Sequence, residues 1–386
     1  MSFDTVTATQ LRATGGLKWS KYPEALGAFV AEMDFGVPPA VTRALHGSVG
    51  SGLLGYLPSW LEQELQCATS EWMSTRYDWT IPPEDVLPTA DVILACELAL
   101  RVLTPPEAKV VVMTPAYGPF FGLSAVLGRE VIEVPMIRDR QSWAVDLDGI
   151  AAAFRAGGGI LVLCNPHNPI GKVYTRAELD AIAEIVDYHG GRVFADEIHA
   201  PVMYGGGRHI PYASISEIAA AHALTATSAS KGFNLAGLKC AQIVVGNDAD
   251  RRTLGRLHDY ITHGCATLGA IATVAAYREG RLWLDEVVSY LEGNRDLVAR
   301  MLPEIAPEIG FSHPAATYFS WLDVRPLRLD DPRSYFLHHA QVALSDGVGF
   351  GSVGQGHVRL NLAMPRPLLE QAVTAIAESA ARSSAV

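Results

Sequence analysis

KVVVM (109–113), EVIEV (130–134), ILVLC (160–164), RVFAD (192–196), ALTAT (223–227) and AQIVV (241–245) are six short apolar runs separated by stretches of helical character. Runs of this length that do not alternate with polar residues are buried on both faces. They predict a largely parallel sheet covered by helices, an α/β architecture. Thr175 and Glu178 form a T-x-x-E capping box, Leu179, Ile182, Ile185 and Val186 follow at helical spacing, and Gly190 and Gly191 close the segment. A second helix is expected from Asp91, with Val92, Ala95, Cys96, Ala99 and Leu103 on its apolar face. After about Asp285 the pattern changes to a long helix through Leu302, strand-like segments TYFSWLDV (317–324), QVALS (341–345) and HVRLN (357–361), and a terminal helix. That order suggests a smaller α+β unit completed by the N-terminal segment.

Composition narrows the class. Of 386 residues, 18% are charged and 49% hydrophobic, which excludes a disordered chain and favours a compact enzyme or binding protein. A net charge of −11 without a basic run argues against nucleic acid. The apolar runs are far shorter than the roughly 20 residues of a membrane helix, and MSFDTVTATQ lacks the features of a signal peptide, so a cytoplasmic protein is expected. Five cysteines at 67, 96, 164, 240 and 265, with no C-x-x-C, read as buried thiols in a reducing compartment. GFGSVG (349–354) has the G-x-G-x-x-G pattern but precedes a strand instead of opening a helix, which argues against a dinucleotide site.

Chemistry concentrates at the ends of the predicted strands. In SASKGFNLAGLK (228–239), Ser228, Ser230 and Lys239 suit phosphate oxygens, and the Lys231 amine can condense with an aldehyde; pyridoxal phosphate is the candidate cofactor. Ser228 and Lys231 also match the S-x-x-K pair of serine acyl-transferases, whose companion strings S-D-N and K-T-G are absent. A surface lysine in a Ser-rich loop is the bland alternative. Asp196, at the end of RVFAD, could keep a pyridine nitrogen protonated. It could equally be a structural acid, or a metal ligand with Glu197 and His199. In CNPHNPIGK (164–172) the prolines leave Asn165, His167 and Asn168 as the available polar side chains. Tyr117, in TPAYGPFF (114–121), could lie against a planar cofactor or serve as a core or turn residue.

KW (18–19), AEMDF (31–35), GY (55–56), TPAY (114–117), CNPHNPIGKV (164–173), DEIH (196–199), SASK (228–231), FNLAGLK (233–239), ATYFSWLD (316–323) and VRLN (358–361) together span nearly the whole chain. In this order they resemble the fold-type I pyridoxal-phosphate enzymes of the class I/II aminotransferase family, and within it the cystathionine β-lyase-like C-S lyases of the MalY/PatB branch. The resemblance implies an aspartate-aminotransferase-like fold: a large cofactor-binding domain (45–284) with a parallel-dominated seven-stranded sheet, and a small α+β domain (1–44 with 285–386). It implies Lys231 as the Schiff-base lysine and Asp196 as the partner of the pyridine nitrogen. Asn168 and His199 then lie near the ring hydroxyl, and Tyr117 stacks on the ring and borders the substrate. Ser228, Ser230, Lys239 and the backbone of Ala90, Asp91 and Val92 would hold the phosphate. The Asp91 carboxylate would repel phosphate unless it turns away as a helix cap.

By the same resemblance, Tyr56 reaches the phosphate of the partner subunit in a homodimer, and Arg359 holds the substrate α-carboxylate with Asn168 and Tyr117 nearby. No metal is implied. The expected reaction is β-elimination from an L-cysteine S-conjugate such as cystathionine, giving a thiol, pyruvate and ammonia. An aminotransferase, a decarboxylating or bulky-conjugate tailoring enzyme, and a regulatory binding protein are the rivals.

Overall fold

Seven strands make the central sheet of the computed structural model, which describes residues 3–139 and 142–383. They are β1 (Val86–Thr89), β2 (Lys109–Thr114), β3 (Val131–Pro135), β4 (Gly158–Cys164), β5 (Arg192–Asp196), β6 (Ala223–Thr227) and β7 (Ala241–Val245). Their spatial order is β1-β7-β6-β5-β4-β2-β3. The pairs β2·β3, β2·β4, β4·β5 and β5·β6 are parallel, whereas β7 runs antiparallel to both β6 and β1. Alternate residues feed two cores. Val110, Val112, Ile160, Val162, Phe194 and Leu224 pack with helix Val92–Val102 on one face. Val111, Met113, Leu161, Leu163, Val193 and Ala195 pack with helix Arg176–Tyr188 on the other. Double-sided burial is the reason these runs carry no polar alternation.

The capping box at Thr175 forms as the sequence suggests, with Glu178 N donating to Thr175 Oγ1 at 3.2 Å and Thr175 N to Glu178 Oε2 at 2.8 Å. Two readings of the runs need correction. EVIEV is an edge strand, only partly buried through Val131, Ile132 and Glu133, because no strand among the described residues pairs on its outer side. VLPT (86–89) is the seventh strand, missed because Pro88 argues against a ladder position; β1 sits at the opposite edge, where a missing N–H is tolerated.

A second, antiparallel sheet contains β8 (Gly310–Phe311), β9 (Phe319–Asp323), β10 (Ser345–Asp346) and β11 (His357–Asn361), in the order β8-β9-β11-β10. Helices Arg281–Ile305 and Arg366–Ser383 cover it, and its core holds Leu322, Phe336, Val358, Leu360, Leu369 and Ile376. The N-terminal segment bridges both regions. Trp19, Leu26 and Ala28 join the core of the smaller sheet, and Leu26–Gly27 pairs parallel with Val342–Ala343. Met33, Phe35 and Val41 pack in the core formed by helices Ser59–Tyr77 and Thr267–Glu279. No helix among the described residues is long and apolar enough to cross a membrane.

Candidate active site

The parallel strands β2, β4, β5 and β6 share one carboxyl end of the sheet, and each is followed there by a polar segment. The reversed strand β7 begins at that same end, so Lys239 and Cys240 arrive from its start. Ala90 to Val92, between β1 and helix Val92–Val102, complete the ring. A cavity of about 380 Å³ results, lined by Ala31, Ala90, Asp91, Val92, Tyr117, Asn168, Asp196, His199, Ser228, Ser230, Lys231, Lys239 and Cys240 among others. Carboxyl ends of parallel strands are where open α/β sheets place their ligands.

Lys231 Nζ donates to Ala31 O at 3.2 Å and pairs with no carboxylate among the described residues. Burial, helped by the Arg359 charge, lowers its pKa to about 8. Asp196 is buried opposite. Its Oδ1 accepts Ile198 N at 3.1 Å, and the Cys164 thiol lies 3.9 Å from Oδ2. Burial raises its pKa to about 7 against the opposing Ile198 hydrogen bond and Lys231 charge. A carboxyl in this state ionises readily once a cation comes within reach. Glu197 turns the other way, accepting Tyr212 N at 2.7 Å and lying 2.9 Å from His209 Nε2, so Asp196, Glu197 and His199 do not converge on a metal.

His199 is buried with Nδ1 lacking a partner, and desolvation, then Lys231 and Arg359, drive its pKa well below the usual value. It is a neutral ring with an unused nitrogen. Asn168 Oδ1 accepts Arg359 Nη1 at 2.9 Å, which leaves the Asn168 amide hydrogens for the cavity. The neighbouring groups in CNPHNPIGK are structural. His167 lies 2.7 Å from the Tyr174 hydroxyl and 2.8 Å from Pro115 O, and Asn165 Nδ2 donates to Ile210 O at 3.3 Å.

Arg359, on β11, is buried over the rings of Phe319 and Phe350, at 4.0 and 5.0 Å from their centroids. It has no acidic partner among the described residues, and its Nε is unpaired. Its fork is not wholly open: Nη2 donates to Phe29 O at 2.9 Å and Ser345 Oγ at 3.2 Å. Desolvation lowers its pKa to about 10. Arg359 does not line the cavity and reaches it through Asn168; a buried guanidinium with no acidic partner among the described residues suits an anion.

At the far end, Asp91 caps helix Val92–Val102 through Leu94 N at 2.9 Å, and its other oxygen pairs with Lys239 Nζ at 2.9 Å. The carboxylate is therefore both a cap and a neutralised charge. Ser228 Oγ donates to Cys240 O at 2.7 Å and accepts Ser230 N, so its hydroxyl hydrogen is committed within the chain. Tyr56 is 83% exposed and lies outside this cavity. It lines a neighbouring one of about 510 Å³ with Lys239 and His263.

The buried amine without a counter-ion, the buried carboxyl of Asp196, the imidazole with a free nitrogen and the helix N-terminus beside Ser230 and Lys239 fit a planar aldehyde cofactor with a basic ring nitrogen, a ring hydroxyl and a phosphate. Fold and site define an enzyme of aminotransferase-like architecture. The family model for class I and II aminotransferases matches residues 30–376, and the chain belongs to that family. It is 36% identical to the cystathionine β-lyase of Corynebacterium glutamicum, covering 95% of this chain and 97% of that one. Cystalysin from Treponema denticola, whose structure contains pyridoxal 5'-phosphate, superposes with a TM-score of 0.91 at 29% identity, over 98% of this chain and 99% of that one. The pyridoxal-phosphate-bound C-S lyase of Staphylococcus hominis gives a TM-score of 0.90 at 27% identity, over 98% of both chains.

Proposed function

We propose that this protein is a pyridoxal-phosphate-dependent β-lyase that cleaves the C–S bond of an L-cysteine S-conjugate such as cystathionine, releasing a thiol, pyruvate and ammonia. The reading is carried by one cavity that brings together the Lys231 amine, the buried Asp196 carboxyl, His199 and Asn168, with Arg359, which has no acidic partner among the described residues, hydrogen-bonded behind Asn168. When bound, the cofactor supplies an aldehyde for amines and a ring that withdraws electrons from the substrate Cα.

The chain's own residues do the rest. Asp196 would pair with a protonated ring nitrogen, which would give its buried carboxylate a counter-charge. Neutral His199 and the Asn168 amide would meet the ring hydroxyl, and Tyr117 would cover the ring. Ser230, Lys239 and the N–H groups at Ala90 to Val92 would take the phosphate, with Lys239 turning from Asp91 to do so. Arg359 binds the α-carboxylate and orients Cα–H toward Lys231, whose lowered pKa lets the amine take that proton near neutral pH. Electrons released at Cα would expel the thiolate from Cβ, the thiolate would take up a proton, and one water would hydrolyse the remaining three-carbon unsaturated amine to pyruvate and ammonia.

The active unit is a homodimer. Leu54 and Tyr56 are exposed side chains that line the second cavity, and a partner that covers them brings its Tyr56 to the phosphate. Residues 45–284 act as the large domain, and 1–44 with 285–386 as the small one. The cytoplasm is the working compartment, in keeping with five free cysteines, four of them buried.

Incubation of cofactor-loaded protein with cystathionine and other cysteine S-conjugates tests the reaction. Equimolar pyruvate and thiol are expected. A keto acid that keeps the sulfur side chain would establish transamination instead.

A further inference from the structure

Residues 29–34, FVAEMD, cross between the two sheets as a strap, and their backbone is tied at nearly every step. Phe29 O accepts Arg359 Nη2 at 2.9 Å and Ser345 Oγ at 2.6 Å. Asn361 Nδ2 holds Val30 O at 2.6 Å and Glu32 O at 2.8 Å. Asn234, three residues after Lys231, grips Met33 from both sides, accepting its N–H and donating to its O, each at 2.9 Å. Ala31 O, at the centre, accepts Lys231 Nζ and the Tyr318 hydroxyl, each at 3.2 Å. One short segment thus touches both the amine and the guanidinium of the site.

A buried ion pair anchors its end. Lys18 is 2% exposed and Asp34 6%. The three ammonium hydrogens of Lys18 meet three acceptors: Asp34 Oδ2 at 2.9 Å, Ala363 O at 2.9 Å and Glu32 O at 3.3 Å. Trp19 Nε1 donates to Asp34 Oδ1 at 2.9 Å, and Asp34 N to Ala363 O at 3.0 Å. The chain doubles back against Lys18 so closely that a Cβ at Gly27 would fall 2.0 Å from Lys18 O. Neither charge borders the cofactor cavity. Burying two charges is costly, and packed apolar residues usually serve stability as well or better. What such a pair adds is a fixed geometry.

We propose that Lys18 and Asp34 are positioning residues for the reaction: the pair fixes the strap so that Ala31 O meets the Lys231 amine and Phe29 O meets the Arg359 fork. This rests on the proposed lyase chemistry. Release of the anchor lets both carbonyls shift, and substrate capture suffers, because a displacement of an ångström at a reacting group costs far more than the contact itself. The phosphate cradle at Ala90 to Val92 and Ser230 belongs to the central sheet and does not depend on this anchor.

The test is the double variant Lys18→Met/Asp34→Leu, which removes both charges together, studied as cofactor-loaded protein. We expect cofactor affinity and melting temperature close to wild type. KM for the cysteine conjugate should rise roughly tenfold or more, with a smaller change in kcat. The pH midpoint of the bound cofactor's visible absorbance should move as well, since the strap carbonyls that shift lie beside the Lys231 nitrogen. A folded double variant with KM, kcat and midpoint within about twofold of wild type overturns the proposal, as does an equal loss of cofactor and substrate affinity.

Should the double variant not fold, Trp19→Phe decides, because it deletes only the indole N–H bond to Asp34. A KM about threefold higher at unchanged cofactor affinity is expected, and unchanged KM overturns the proposal. If wild type cleaves no conjugate, the lyase reading fails by itself, and the strap is still tested by the affinity of the loaded protein for unreactive L-alanine analogues, read from the same absorbance.

Discussion

Asn168 Oδ1 accepts a hydrogen bond from Arg359 Nη1 at 2.9 Å, joining the loop after β4 to a strand of the smaller sheet 191 residues away. The contact fixes both groups at once: the amide must present its hydrogens to the cavity, and the guanidinium must lie with its plane over Phe319. Arg359→Lys is therefore expected to weaken substrate capture more than cofactor binding, since lysine cannot span Asn168, Phe29 O and a carboxylate together. The loss should be about 1.5–3 kcal/mol, or roughly ten- to hundredfold in KM. Steady-state kinetics beside a cofactor titration separate the two; equal losses would indicate a folding defect.

Asp196→Asn should still bind cofactor but lose about two decades or more of rate, because an amide does not hold the proton on the ring nitrogen. Single-turnover rates with saturating cofactor check this, and unchanged kinetics would make Asp196 merely structural.

The same pair makes the apoprotein's stability depend on pH in opposite senses. Burial raises Asp196 to about 7 in the folded chain, above roughly 3.9 when unfolded. Its contribution is therefore fully present below about pH 4 and is lost as pH rises through 7, by up to about 4 kcal/mol. Lys231 is lowered to about 8, so its burial penalty is relieved as pH rises from 8 toward roughly 10.4. Urea denaturation of apoprotein against Asp196→Asn and Lys231→Met isolates each slope. A flat difference across the stated window would contradict the assignment.

Asp91→Asn keeps a helix cap while freeing Lys239 from its carboxylate. Cofactor affinity should stay the same or tighten severalfold, with little change in melting temperature. Weaker binding would show that the carboxylate itself supports the phosphate site.

If Tyr56 serves the partner's site, mixing Lys231→Ala and Tyr56→Phe homodimers under subunit exchange yields one intact site per heterodimer. Activity should approach half the wild-type rate per heterodimer. Activity at the parental average, with exchange confirmed, would place Tyr56 in its own chain's site.

Much of this was legible in the sequence because burial on both faces leaves a clear mark: ILVLC, and Val193 to Ala195 within RVFAD, carry no polar residue, and the strand ends that follow hold the chemistry. Edge positions were harder. Pro88 disguised β1, and EVIEV read as buried although only one neighbour covers it. The antiparallel sense of β7 has no local signature, yet it decides that Lys239 reaches the site from the strand's start. Within CNPHNPIGK, spacing could not tell Asn168 from His167, since only the fold shows Tyr174 and Pro115 occupying the imidazole. Lys18 and Asp34 stand 16 residues apart in strings that suggest kinship, but their pairing depends on the chain reversing at Gly27.

Lys231 is expected to hold the cofactor in this cavity. Borohydride reduction of the loaded protein fixes the cofactor to whichever amine carries it, and peptide mass mapping then finds the residue. One pyridoxyl phosphate per chain is expected on Lys231, and none in Lys231→Ala. Label on Lys239 or Lys18, or its survival in Lys231→Ala, would contradict it.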